Sequence, residues 1–145
     1  MGELNRDSVQ ENQRIKEEWV SALIELNRQL KQWTVAQIKE WEKDPKQTVV
    51  PCVIETTAER QEEYLGRYFV PMLVITSEEC EVVVRPIGRF AIGAIGQVCM
   101  TNNRQSSNFL YSRKKGWLVM ENRRPLTREI FLDLLKQMCC SKDNV

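Results

Sequence analysis

The chain has 145 residues, of which 42% are hydrophobic and 28% charged, and a formal net charge of +1. That length suits one domain, residues 1–145, burying roughly 70% of its unfolded surface, and the balanced composition excludes the disordered, collagen-like and coiled-coil-only classes. No run approaches the ~20 apolar residues of a membrane span, and MGELNRDSVQENQRIKEEW lacks the apolar stretch of a secretory signal, so a soluble, cytosolic protein with no membrane contact is expected.

From Ser8 onward the pattern is helical, and Ser8-Val9-Gln10-Glu11 fits a capping box. Ile15, Trp19, Leu23, Leu26, Leu30 and Trp33 recur at spacings of three and four, which puts them on one face. Thr34-Val35-Ala36-Gln37 fits a second box, at which the helix could break near Trp33 and restart, and Asp44-Pro45 ends the segment. Unbroken, residues 8–43 would reach about 54 Å, beyond the ~30 Å of a small domain. Such a helix either bends or projects toward a partner.

The middle of the chain, 48–121, is rich in Val, Ile and aromatic residues between turn-forming segments. Strands are predicted over 48–57, 67–77, 80–88, 97–101, 107–112 and 116–121. Pro51 and Pro71 cannot donate a ladder hydrogen bond and belong at an edge, a bulge or a strand start. Arg113-Lys114-Lys115-Gly116 reads as a tight hairpin with Gly116 in the left-handed conformation. Thr127 caps a final helix, 127–140, with Leu126 placed to staple against Phe131. The expected fold is α+β: a long N-terminal helix, continuous or broken, packed on an antiparallel meander of about six strands and closed by a C-terminal amphipathic helix.

Between two strands lies RPIGRFAIGAIGQV, whose glycines and arginines suggest a phosphate loop. The chemistry of a Walker loop is missing, because Ala94 and Ile95 stand where its lysine and hydroxyl belong, and Ala91 replaces the first glycine of a dinucleotide fingerprint. Gly88, Gly93 and Gly96 are therefore read as structural, permitting positive φ, a bulge or close backbone approach. Arg85 and Arg89 are the candidate anion contacts if the segment meets a ligand.

Charge is unevenly spread: residues 1–82 carry ten basic and sixteen acidic side chains, residues 83–145 eleven and four. Arg104, Arg113, Lys114, Lys115, Arg123 and Arg124 fall at predicted turns near Tyr111 and Trp117, a combination that serves single-stranded nucleic acid. Basic turn tips equally solubilise a sheet and block edge pairing, and with a pI near 7.6 nucleic acid is not the expected partner.

The sequence has no histidine, which removes the commonest general base, the Ser-His and Cys-His nucleophile pairs and histidine metal ligands. Carboxylates group at Glu59, Glu62 and Glu63 and at Glu78, Glu79 and Glu81, in or beside predicted connections. Cys52, Cys80, Cys99, Cys139 and Cys140 form an odd set without C-x-x-C spacing. They read as reduced thiols, with Cys52 and Cys99 packed in the core. No catalytic constellation, metal site or cofactor is expected.

The function expected is that of a non-catalytic interaction or accessory protein, a homo-oligomer or the subunit of a larger partner. Trp19, Trp33 and Trp41 are its candidate interface, because aromatic residues concentrate at interface centres. The alternative is a small-molecule or anion module with an apolar pocket between helix and sheet and Tyr64, Tyr68, Tyr111 and Arg85 as polar anchors.

Overall fold

The computed structural model describes residues 2–47, 50–62, 66–88 and 95–140. Helix α1, Gly2–Lys43, is followed by strands β1, Cys52–Glu62, β2, Gly66–Thr76, β3, Glu81–Gly88, β4, Gly96–Thr101, β5, Ser106–Ser112, and β6, Gly116–Val119, and then by helix α2, Arg128–Cys140. The strands form one antiparallel sheet in the order β1-β2-β3-β4-β5-β6. The α+β layout read from the sequence is therefore the layout of the molecule. No described helix is long and apolar enough to cross a membrane.

Neither capping box acts as one. Helix α1 begins six residues before Ser8, and it passes through Thr34 without a break. The Thr34 hydroxyl is buried and donates to the carbonyl of Leu30 at 2.7 Å, the i−4 bond by which a threonine satisfies itself inside a helix. Over 42 residues the helix extends about 63 Å. It ends where the sequence indicated: Asp44 N–H bonds the Trp41 carbonyl, and the Asp44 carboxylate accepts from Lys46 N–H.

Alternation assigns the faces of the sheet. Leu73, Ile75, Val82, Val84, Val98, Met100, Phe109 and Val119 point toward the helices and form the core with Trp19, Leu23, Leu26 and Leu30 of α1 and Phe131, Leu135 and Met138 of α2. Each such side chain, fully buried, contributes roughly 1.5–3 kcal/mol. Helix α2 lies beside α1, with the rings of Trp33 and Phe131 6.0 Å apart. Thr127 Oγ1 accepts from Ile130 N–H, as an N-cap should.

Strand β1 begins and ends later than the sequence suggested. Residues 58–62, AERQE, lie beyond the predicted strand end yet continue the strand and pair through Glu62↔Gly66. Charged residues are tolerated there because the strand is at the sheet's edge and mostly exposed. Pro71 sits in β2 where the strand has run past its register with β3, which covers only Leu73 to Thr76. Its missing N–H is not needed on that side.

The glycine segment is described at its two ends, while Gly93 and Arg89 lie outside the described residues. Gly88 has φ +144 beside a register shift between β3 and β4, so it supplies both the positive φ and the bulge. Gly96 acts by close approach: a Cβ there would lie 2.5 Å from Cη2 of Trp19, whose indole covers the strand at that point. Gly116 has φ +76 in the β5–β6 turn, as expected of that hairpin.

Candidate functional site: the β1 edge and the seam beside it

A meander leaves two outer strands, and their edges differ. Beyond β6 the chain doubles back, so that Val119 N–H bonds the Arg124 carbonyl, Leu126 N–H bonds the Trp117 carbonyl, and Pro125 bridges Leu118. The outer edge of β6 is thus already covered. Along Cys52–Ala58 of β1, no backbone hydrogen bond on the outer side is present among the described residues. Unpaired N–H and C=O groups on such an edge are a template for another strand.

Apolar side chains stand on both faces of this stretch, and on the helix side they are set among polar and charged ones. Away from the helices, Ile54 stands opposite Val74, and Val74 opposite Val83, a cross-strand row that ends with Ile54 48% exposed. Toward the helices, α1 and β1 leave a seam holding two adjoining clefts of about 430 and 490 Å³. Ile24, Pro71 and Met72 line one, Val35 and Ala36 the other, and Arg28 and Glu55 border both. Ile24 is 55% exposed, although it is an isoleucine in the middle of a packed helix.

Charge frames the seam. Lys31 bridges Glu55 at 3.3 Å, which ties the helix to the edge strand. Arg28 bonds Glu25 through both of the carboxylate's oxygens, and this hydrogen bonding holds the Glu25 carboxyl below the usual carboxylate range and raises the Arg28 guanidinium. With Lys39 also present, three cations and one carboxylate, Glu55, line the seam. Two of these cations are paired within the chain, Arg28 with Glu25 and Lys31 with Glu55.

The residues singled out in the sequence do not converge. Trp19 and Trp41 are buried in the core, and Trp33 is half-buried against Phe131, so the indoles are occupied within the chain. The basic residues divide between the two ends of β5: Arg104 is in the β4–β5 turn, and Arg113, Lys114 and Lys115 are in the β5–β6 turn, about 20 Å away along the strand. Arg113 is engaged with Glu18 of α1 at 2.8 Å, a bond that raises its pKa.

Arg85 is exposed on the face opposite the helices, directly across from Cys99. Tyr68 is buried and donates to Glu62, while Arg60 donates to the Ile87 carbonyl; Tyr111 packs on Trp117, and Tyr64 lies outside the described residues. Among the described residues no three metal-ligating side chains gather.

The thiols correct one expectation. Cys52 is exposed at the start of the edge strand rather than packed in the core, and Cys99 is only partly covered. Burial pushes the Cys99 thiol up, against the pull of the Arg85 charge. A raised pKa means less thiolate at neutral pH, and thiolate is the reacting species. Iodoacetamide is therefore expected to label Cys52 before Cys99 at pH 7, with the Cys99 rate still climbing at pH values where an ordinary thiol has levelled off. Equal rates by peptide mapping would contradict this.

Comparison with protein families, curated proteins and solved structures gave no match for this chain.

Proposed function

We propose that this is a non-catalytic protein that binds another protein by adding an extended segment of it to the open edge of β1. The observation that carries the reading is the asymmetry of the two sheet edges: one is closed by the chain itself, and the other is, among the described residues, open over Cys52–Ala58 with apolar side chains on both sides. A strand laid against β1 has alternating side chains. One set would cover Ile54, and the other would enter the seam beside Ile24 and meet Arg28, Lys31 and Lys39. Backbone pairing supplies affinity in this mode and the flanking pockets supply selectivity. The cytosol is the proposed place of action.

A second reading has its own support. The clefts fall within the ~300–1,000 Å³ of small-molecule sites, so an apolar ligand in the seam is the alternative. Ile54→Lys separates the two, because it places a charge on the side of β1 away from the seam. Being exposed, the site tolerates the change within about 0.5 kcal/mol. Strand addition is expected to weaken by tenfold or more, about 1.4 kcal/mol, in a pull-down titration, whereas occupancy of the seam by a small ligand would be unchanged.

A further inference from the structure

Two cysteines far apart in sequence meet at one end of the sheet. Cys80, which closes the β2–β3 turn, and Cys139, in the last turn of α2, bring their Sγ atoms within 2.8 Å, inside ordinary sulfur contact and approaching the ~2.05 Å of a disulfide bond. Both residues are half-buried. Each is held from its own side: Ser77 Oγ accepts from the N–H groups of Glu79 and Cys80, and Ser77 N–H donates to the Cys80 carbonyl. On the helix, which has no basic residue in its last turn, Asn102 Nδ2 donates to the Met138 carbonyl at 2.8 Å. The pair borders a cleft of about 150 Å³ walled by Glu79, Glu81, Asn102 and Arg104, room for the end of a small molecule.

We propose that Cys80 and Cys139 form a redox-active dithiol, a modification site for low-molecular-weight disulfides, which oxidise it to an internal disulfide. One cysteine, as thiolate, attacks a sulfur of the disulfide RSSR. The RS–SR bond breaks, a mixed disulfide forms, and the departing RS⁻ takes up the proton the cysteine released. The second cysteine, already in contact, loses its proton and attacks the first cysteine's sulfur, expelling the other RS⁻, which is protonated in turn. The protein gives up two electrons and two protons, and RSSR becomes two RSH. Preassembled sulfurs make the second step effectively intramolecular. The bond closes a span of 59 positions and fastens the end of α2 to the β2–β3 turn, restricting the unfolded chain.

Oxidised glutathione is the probe, used on the full chain with intact-mass analysis and non-reducing peptide mapping. The expected product has lost two hydrogens, carries a Cys80–Cys139 linked peptide, and unfolds about 5–10 °C higher than the reduced protein. Cys80→Ser and Cys139→Ser are each expected to stop at the mixed disulfide on the remaining cysteine, while Cys140→Ser closes like the parent. A glutathione adduct that persists on Cys80 or Cys139 of the parent chain, a bridge through Cys140, or an unmodified pair while exposed Cys52 reacts would each overturn the proposal.

Discussion

Gly96→Ala is expected to cost about 2–3 kcal/mol in urea unfolding, far more than a methyl group costs at an open glycine. The added Cβ would lie 2.5, 2.6 and 2.8 Å from Cη2, Cζ3 and Cζ2 of Trp19. Trp19 is fully buried and packs against Trp117 at 6.1 Å between ring centres, so the ring has no free space to enter. Overpacking of this kind typically costs 1–3 kcal/mol or so. The three atoms are those a phenylalanine ring lacks. In a Trp19→Phe background the same Gly96→Ala change is therefore expected to cost less than about 1 kcal/mol, a coupling readable in a double-mutant cycle. Equal costs in both backgrounds would mean that Gly96 is required for some reason other than the indole.

Phe131→Ala is the other large effect, at about 3–5 kcal/mol. Phe131 is fully buried where α2 meets both the sheet and Trp33 of α1, and α2 has only 13 residues. A helix that short is held by tertiary packing rather than by its own propensity, so losing this anchor loosens the whole segment. Against a total stability of about 5–15 kcal/mol, chemical denaturation would show a population shift toward partly folded forms. A loss under about 1 kcal/mol would indicate that α2 is held from elsewhere.

The two variants also show what was legible in the sequence. The six strands and both helices could be read because the apolar residues repeat at the strand and helix periods over long segments. The capping boxes misled because Ser8 and Thr34 carry a local signal that a longer helix overrides, Thr34 by bonding its own Leu30 carbonyl. AERQE, 58–62, looked like a connection because an edge strand does not need alternating apolar residues. The tryptophan spacing correctly placed Trp19 and Trp33 on one stripe, but spacing says nothing about what covers a stripe, and α2 and the sheet cover this one.

The β1 edge and the thiol pair were both missed for one reason. Each is a property of strand order and long-range closure: the edge depends on where β1 falls in the sheet and on residues 124–126 covering β6, and the thiols are 59 positions apart. A turn type or a helix face is written within a few residues. A contact across the sheet's end is not. The signal that was present is the short, uncharged run Cys52–Ile54 opening the first strand of a meander, since the first strand of such a sheet is an outer one.

The most direct test is native mass spectrometry of the untagged chain and its Ile54→Lys variant, each isolated gently under reducing conditions from the cells that make it. Strand addition at β1 predicts that the parent chain carries a defined polypeptide mass, another protein or a second copy, and that the variant is released as a bare monomer. A bare monomer for both, or the same complex for both, would contradict it.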